Sequence, residues 1–303
     1  MSALATCHLP LPRVPPVLFF FLALLHFVHL PASFAATGRV ECNALPSKTL
    51  ARRVPYCVLL PPGYDEDRAH RFQVLYFFHG LGDDEQMFLH SGGWNLVEDL
   101  WERKQLREFL IATPAAGASF FINSRDGKVR YEDFFVDEFL PAIEKNFRVR
   151  PGRANRAISG VSMGGYGALH LAFRHPELFS SVSAHSPALI EKLPVFLGGV
   201  AGSPRASILG GTVGIPPDAG FWERNSPLAI ARTARLTKLA IYFDCGDQDD
   251  FGFASGASAL DRVLTSRNIR HEFHLYPGRH DWQYFASHLP ASLAFHSRLF
   301  GTA

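Results

Sequence analysis

The chain has 303 residues, of which 47% are hydrophobic and 19% are charged, and its formal net charge is +2. This composition is too apolar for an intrinsically disordered protein, and the charge gives no basic stripe typical of nucleic-acid binding. The length allows one or two domains, because α/β folds often reach about 250 residues as a single unit.

The first 35 residues have the features of a secretory signal peptide. Arg13 precedes the fourteen-residue apolar run VLFFFLALLHFVHL, which covers residues 17–30. Ser33 and Ala35 then supply small side chains at the −3 and −1 positions of a cleavage site. The alternative is an uncleaved N-terminal anchor, but the run is short for a membrane span. We therefore expect a secreted or periplasmic protein without stable membrane insertion.

Two cysteines lie in the first two extended segments. Cys42 belongs to RVECNAL and Cys57 to VPYCVLL, with a polar stretch between them. If these segments pair as a hairpin centred near Thr49, the two thiols face each other across the strands. Export permits a disulfide, and two free buried cysteines are the equal alternative. The cysteines are too scattered to form a metal site.

From residue 54 onward, strand-like runs alternate with helical patterns. The strand candidates after the hairpin include FQVLYFFHG, EFLIATP, FSSVSAHS, KLAIYFDCG and HEFHLYPG. Helices are predicted for WNLVEDLWERKQ, for YEDFFVDEFLPAIEKNFRV, after the Gly-rich segment GVSMGG, across residues 258–266 and across residues 282–299. The alternation predicts an α/β fold: a mainly parallel central sheet flanked by helices, with an antiparallel edge formed by the N-terminal strands.

One stretch interrupts this alternation. Residues 187–231 are rich in Gly, Pro and Ser and are too many for an ordinary connection. We expect either a cap-like cover over the active site or a disordered insert. No repeat and no second domain is apparent, so residues 36–303 are predicted to form one domain.

Ser162 is the candidate nucleophile. It lies in GVSMG, which has the pattern G-x-S-x-G and follows a predicted strand directly before a predicted helix. In a nucleophile elbow the serine backbone is strained, and Gly160 and Gly164 leave room where a Cβ would collide with backbone. The pentapeptide alone is weak evidence, because a glycine-rich structural turn has the same sequence. Its position between strand and helix favours the elbow.

The candidate acid and base follow in the order serine, acid, histidine. The strand in IYFDCGDQDDF ends in a loop with several aspartates, among which Asp249 is preferred and Asp250 is the alternative. His280 follows the last strand on the Gly-containing turn of YPGRHDW, and we therefore prefer it to the other thirteen histidines. His170 and His175 are interpreted as packing or solvent-facing residues. His185 follows another predicted strand and is a further candidate for a place near the site, but it precedes the acid in the chain.

Two backbone N–H groups are candidates for an oxyanion hole. Met163 directly follows the candidate nucleophile, and Leu81 follows the predicted strand in YFFHGLGDD. Two such donors stabilise the transition state of acyl transfer by several kcal/mol. The sequence allows two interpretations of three tryptophans, Trp94, Trp222 and Trp282: they line a pocket or they belong to the core.

These motifs together resemble a known family. VLLPPGYD, FFHGLGDD, GVSMGGYGAL, NSPLAIA, DCGDQDDF and YPGRHDWQYF occur in the order found in the putative-esterase family of α/β-hydrolases. This family includes esterase D (S-formylglutathione hydrolase), feruloyl and tributyrin esterases, and mycolyl-transferases. The resemblance covers about residues 39–300 and implies the α/β-hydrolase fold. It implies the same roles for Ser162, Asp249 and His280.

The implied function is hydrolysis of carboxylic esters through an acyl-enzyme, without a metal or organic cofactor. The substrate is expected to be a small or polysaccharide-linked ester in the acyl, feruloyl or acetyl class, and a predicted signal peptide disfavours a cytosolic glutathione pathway. An acyltransferase using the same three residues and an S-formylglutathione hydrolase-like thioesterase are the enzymatic alternatives. A binding module with a degenerate site is the non-enzymatic one.

Overall fold

The computed structural model describes residues 37–191, 211–214 and 218–300, and eight strands in these residues form one sheet. The strands are β1 (Arg39–Ser47), β2 (Arg52–Leu60), β3 (Val74–Phe78), β4 (Leu110–Pro114), β5 (Arg156–Val161), β6 (Ser181–His185), β7 (Ala240–Gly246) and β8 (Glu272–Tyr276). Their spatial order is β1-β2-β4-β3-β5-β6-β7-β8. The strand β2 pairs antiparallel with β1 and β4, and the other neighbours are parallel. The predicted α/β sheet and its antiparallel N-terminal edge are confirmed.

The N-terminal hairpin carries a disulfide. Cys42 and Cys57 are directly opposite in the β1–β2 register, and their sulfur atoms are bonded. Of the two alternatives for these cysteines, the structure has the disulfide. Cys245 is the free cysteine of the described residues, and burial raises the pKa of its thiol to about 12.

Helices cover both faces of the sheet. They are α1 (Gly63–Glu66), α2 (Met87–His90), α3 (Gly93–Glu102), α4 (Tyr131–Phe134), α5 (Leu140–Asn146), α6 (Met163–Arg174), α7 (Ala219–Asn225), α8 (Pro227–Ile230), α9 (Phe253–Ser266) and α10 (Trp282–Leu299). A π-helical turn, Phe135–Phe139, joins α4 to α5, and a 3₁₀ turn, Arg153–Asn155, precedes β5. The closing helix has the predicted bounds. The helix predicted at 258–266 begins earlier, at Phe253, whose N–H donates to the Asp249 carboxylate at 3.2 Å.

The core lies on both faces of the sheet, because successive side chains of a strand point to opposite sides. In β3, Val74, Tyr76 and Phe78 enter one buried cluster. Leu75 and Phe77 enter the cluster on the other face. All five are buried, which explains why this strand has an uninterrupted apolar sequence.

The predicted insert at 187–231 is helical in its last part, which the sequence did not indicate. Asp218 caps α7 by accepting the N–H of Phe221 at 2.8 Å. Trp222 is buried, and its ring centroid is 5.5 Å from that of Tyr166 in α6. This part therefore packs on the body of the domain and is not disordered.

Residues 192–210 and 215–217 lie outside the described residues, as does the predicted signal peptide. The cap-like cover, the signal peptide and the single-domain boundary at residue 36 therefore stay predictions. Within the part of the chain that the structure describes, no helix is long and apolar enough to cross a membrane.

Candidate active site

Ser162 lies at the sharp turn between β5 and α6. Its φ is 55° and its ψ is −117°, a conformation that is strained for a residue with a side chain. A Cβ at Gly160 would lie 2.4 Å from the backbone of Gly164, and a Cβ at Gly164 would lie 2.2 Å from the carbonyl oxygen of Phe78. Both positions exclude a side chain, as the elbow geometry requires.

Three backbone hydrogen bonds hold this strained residue. The N–H of Ser162 donates to the carbonyl of His185 at 2.9 Å, and the Ser162 carbonyl accepts from the N–H groups of Tyr166 and Ala188 at 3.0 Å each. The turn is therefore fixed by the end of β6 as well as by its own helix. His185, a further candidate for a place near the site, thus contributes its backbone carbonyl.

The structure brings together the three residues predicted for catalysis, which we call the candidate triad: Ser162, Asp249 and His280. The distance between Ser162 Oγ and His280 Nε2 is 2.8 Å, and that between His280 Nδ1 and Asp249 Oδ2 is 2.6 Å. An ionised carboxylate only accepts, so Nδ1 carries the proton and Nε2 is free to accept from the serine hydroxyl. This is the protonation state that a general base needs.

The Asp249 side chain has no exposed surface, and that of His280 is 8% exposed. The other carboxylate oxygen, Oδ1, accepts from the N–H groups of Phe251 and Phe253 at 3.0 and 3.2 Å. Burial alone raises the pKa of the Asp249 carboxyl, but the hydrogen bonds from His280 and from these amides outweigh burial and hold the pKa below its usual value. Asp249 is therefore ionised at neutral pH.

The other aspartates of the loop have different partners. Asp250 pairs with the guanidinium of Arg279 and accepts from the N–H of His280 at 3.3 Å, without contacting the imidazole. Asp247 accepts from the N–H of Gly278 at 3.1 Å. Asp249 is thus the aspartate whose carboxylate contacts the histidine ring.

The Gly80–Leu81 peptide borders the serine. A Cβ at Gly80 would lie 3.8 Å from the Cβ of Ser162. His79 is buried, and burial lowers its pKa, so the ring is neutral. Its Nε2 accepts from the N–H of Ala116 at 2.9 Å, so the proton is on Nδ1, which donates to the Gly80 carbonyl at 2.7 Å. In a trans peptide the N–H of Leu81 points away from that carbonyl.

The N–H of Met163 is the second predicted donor. Met163 is the first residue of α6, so its N–H has no carbonyl partner within the helix. The positive end of the helix dipole is also at this N–H. The sequence named Leu81 and Met163, but it did not indicate the role of His79 in holding the Leu81 peptide.

Aromatic rings surround the imidazole of His280. The ring centroids of Phe251, Phe253 and Phe285 lie 4.7, 5.4 and 5.4 Å from it, each in an edge-on arrangement. Phe251 and Leu81 are 49% and 41% exposed, so apolar surface is available beside the site. The three tryptophans that the sequence left between pocket and core pack with the core. Trp222 is buried in one hydrophobic cluster, and Trp94 and Trp282 pack against the other.

The remaining histidines singled out from the sequence have structural partners. Both His170 Nε2 and His175 Nε2 contact the buried carboxylate of Glu132, at 2.9 and 2.8 Å. His170 Nδ1 lies 2.8 Å from the carbonyl oxygen of Asn225 in α7. Among the described residues, no three or more His, Cys, Asp or Glu side chains are grouped so that they could hold a metal ion.

The mostly parallel eight-stranded sheet, the helices on both faces and the strained serine after β5 define an α/β-hydrolase fold. Residues 47–296 match the family described as "Putative esterase", and the chain belongs to this family. The resemblance that the motifs indicated is confirmed.

Similar proteins fall in the same group. An esterase of Mycobacterium tuberculosis is 30% identical over 243 residues, which are 74% of this chain and 51% of that protein, so the chain spans about half the length of this relative. S-formylglutathione hydrolase of Mus musculus is 25% identical over 278 residues, covering 83% of this chain and 91% of that protein. A solved ferulic acid esterase is 28% identical with a TM-score of 0.75, covering 88% of this chain and 99% of that structure.

Proposed function

We propose that the chain is an exported serine esterase that hydrolyses carboxylic esters through an acyl-enzyme. The observation that carries this proposal is the continuous contact from Ser162 Oγ to His280 Nε2 at 2.8 Å and from His280 Nδ1 to Asp249 at 2.6 Å. A serine hydroxyl becomes a nucleophile only with such a base beside it. The membership of an esterase family supports the same reaction.

In the first half of the reaction, Ser162 Oγ attacks the ester carbonyl carbon while His280 Nε2 takes the hydroxyl proton. The ionised Asp249 stabilises the resulting imidazolium. The N–H groups of Leu81 and Met163 donate to the oxyanion of the tetrahedral intermediate. His280 then gives its proton to the departing alkoxide, the C–O bond breaks, and the acyl group stays on Ser162.

In the second half, water replaces the alcohol. His280 accepts a proton from the water molecule while the water oxygen attacks the acyl carbonyl carbon. The N–H groups of Leu81 and Met163 again donate to the oxyanion. Collapse breaks the bond to Ser162 Oγ, which recovers its proton from His280. The carboxylic acid leaves and the enzyme is restored, so the net reaction consumes one ester and one water.

We propose feruloyl esters as the first substrate class to test. The similar solved structure is named as a ferulic acid esterase. The half-exposed ring of Phe251, 4.7 Å from the imidazole, supplies an aromatic surface against which a planar acyl group can stack. Short acyl and acetyl esters, including polysaccharide-linked ones, are the next classes.

The proposed export rests on the N-terminal residues and on the disulfide. The apolar run of residues 17–30 with its small-residue ending is typical of a signal peptide. A disulfide between Cys42 and Cys57 is favoured in an oxidising compartment. N-terminal sequencing of the mature protein from its native host tests this part: we expect a start just after Ala35, and a start at Met1 would contradict it.

The activity is tested with a panel of methyl ferulate, a nitrophenyl acetate, acetylated xylan and S-formylglutathione. We expect turnover of the oxygen esters, with the highest kcat/KM for methyl ferulate. A clear preference for S-formylglutathione would instead favour the thioesterase alternative, which the mouse relative represents. Adding an alcohol acceptor and measuring transfer against hydrolysis tests the acyltransferase alternative, for which transfer would exceed hydrolysis. If the folded wild-type protein turns over none of the four substrates, the proposal is contradicted.

A further inference from the structure

A second set of polar side chains is connected to the candidate triad through the backbone, and the proposed mechanism does not use it. We call it the buried network: His185, Asp244, Tyr284 and Ser292, all of them buried. The Tyr284 hydroxyl donates to Asp244 Oδ1 at 2.8 Å. Asp244 Oδ2 lies 2.8 Å from His185 Nδ1, a close pair without hydrogen-bond geometry. His185 Nε2 lies 2.8 Å from Ser292 Oγ.

The direction of the key hydrogen bond is fixed by electrostatics. Burial raises the pKa of the Tyr284 hydroxyl, and the negative charge of Asp244 raises it further. Tyr284 therefore keeps its proton and donates to the carboxylate, a charge-assisted bond that is stronger than a neutral one. At the far end, the Ser292 hydroxyl lies 2.8 Å from His185 Nε2 and 3.1 Å from the carbonyl oxygen of Leu289.

Each member of the candidate triad is joined to this network by a short path. The N–H of Ser162 donates to the backbone carbonyl of His185. Asp249 lies in the loop directly after β7, the strand that carries Asp244. His280 precedes α10, whose first turn contains Tyr284. The network therefore connects the three elements that hold the nucleophile, the acid and the base.

Tyr284 also packs directly on the turn that carries His280. Gly278 has φ 153°, and a Cβ there would lie 2.6 Å from Cδ2 of the Tyr284 ring. The Gly278 carbonyl accepts from the N–H of Gln248 at 2.9 Å, and its own N–H donates to Asp247 at 3.1 Å. The histidine turn is thus held between the Tyr284 ring on one side and the acid loop on the other.

We propose that Tyr284 is a positioning residue: its hydrogen bond to Asp244 sets where the His280 imidazole stands relative to Ser162 and Asp249. This inference rests on the proposed esterase mechanism. Removing the hydroxyl removes the hydrogen bond between the first turn of α10 and Asp244 of β7, which lets the histidine turn shift. A displacement of about 1 Å at a reacting group can reduce the rate about 100-fold.

The test is the variant Tyr284→Phe, which keeps the ring on Gly278 and removes only the hydroxyl. Turnover of methyl ferulate is measured per active site, counted by stoichiometric labelling with an organophosphonate. We expect kcat to fall about 10-fold to 100-fold with KM unchanged, because substrate binding does not use the network. The rate constant of phosphonate labelling should fall by a similar factor.

The matched control is Tyr64→Phe. Tyr64 is also buried, and its hydroxyl makes one hydrogen bond, accepting from the N–H of Arg148 at 3.1 Å. Arg148 pairs through its backbone with Phe72, just before β3 begins, whereas Ser162 follows the opposite, C-terminal end of the neighbouring parallel strand β5. The control variant should lower Tm while leaving kcat per active site unchanged, which separates positioning from a general loss of stability.

A second variant, Asp244→Asn, approaches the same hydrogen bond from the other side. The amide oxygen still accepts from Tyr284, but more weakly without the charge, so kcat should fall by a smaller factor than in Tyr284→Phe. A wild-type kcat per active site in Tyr284→Phe overturns the inference, whatever its Tm; if that variant does not fold, a wild-type kcat in Asp244→Asn does so. Failure of the wild-type protein to be labelled or to turn over esters would instead contradict the proposed function.

Discussion

The candidate triad and the buried network contain the same three residue types at nearly the same distances. In both, a serine oxygen lies 2.8 Å from a histidine Nε2, and an aspartate oxygen lies within 2.8 Å of the Nδ1 atom. They differ in surroundings: Ser162 is partly buried on a strained turn, whereas Ser292 is inside a helix and has no exposed surface. A serine, a histidine and an aspartate in contact are therefore not a catalytic site unless substrate and oxyanion donors can reach the hydroxyl.

The largest expected difference is between the two serines. Ser162→Ala removes the nucleophile and should lower kcat at least about 10⁴-fold, as removal of a catalytic serine does in other serine hydrolases. Ser292→Ala should retain most of its turnover. Both are measured as kcat for methyl ferulate on protein shown to be folded by circular dichroism. Equal losses of kcat in the two variants would contradict the distinction between the candidate triad and the buried network.

The next largest difference in kcat is expected between substitutions of the two adjacent aspartates, Asp249 and Asp250. Asp249→Asn should reduce kcat by about 10³-fold to 10⁴-fold, because the amide no longer stabilises the imidazolium and favours the wrong tautomer. Asp250→Asn should leave kcat nearly unchanged, since Asp250 pairs with the exposed Arg279 and its bond from the backbone N–H of His280 can be kept by the amide oxygen. Steady-state kinetics on both variants decide the assignment. A larger loss in Asp250→Asn than in Asp249→Asn would mean that the acid is wrongly assigned.

A third histidine–carboxylate cluster, without a serine, should affect stability alone. Glu132 contacts both His170 and His175, and although burial raises its pKa, these contacts lower it well below the ordinary value of 4.5. Glu132→Gln should therefore cost about 3 kcal/mol in the free energy of unfolding at pH 7, with kcat per active site unchanged.

The contribution of Glu132 to the free energy of unfolding should depend on pH. Because the folded-state pKa of Glu132 is lower than the unfolded value of 4.5, its stabilisation is present above that value and is lost as pH falls below it. Urea unfolding of the wild type and of Glu132→Gln between pH 7 and pH 3 should show curves that converge at low pH. A difference that stays constant or widens on acidification would contradict this account.

The smallest effect is expected for the stability of the buried network. Ser292→Ala leaves His185 Nε2 without its hydrogen-bond partner and should lower the free energy of unfolding by about 1–2 kcal/mol. Urea unfolding at pH 7 measures this difference. An unfolding free energy equal to that of the wild type would show that the histidine finds another partner.

Features with a local sequence signal could be predicted. Apolar runs and glycines that are contiguous in the chain predicted which segments form strands. They also predicted the bounds of α10 and the turn around Ser162. Asp249 could be preferred to Asp250 only weakly, because one residue of difference in a loop decides which carboxylate faces the ring. The structure settles their contacts through the N–H groups of Phe251 and Phe253, which fix the orientation of Asp249.

Features built across distant elements had no such signal. The buried network joins β6, β7 and α10, and nothing around Asp244 or Tyr284 in the sequence indicates that they meet. The helix α7 lies in a Gly- and Pro-rich region, where the burial of Trp222 against Tyr166 outweighs weak local propensity. Long-range packing, rather than composition, decides both.

Mapping the site of covalent modification tests the central claim most directly. The wild-type protein is treated with an organophosphonate, digested and analysed by mass spectrometry, with Ser162→Ala as the parallel sample. We predict one adduct per chain on the peptide that contains Ser162, and none in the variant. An adduct on another serine, or no adduct on an active and folded wild-type protein, would contradict the assignment of Ser162 as the nucleophile.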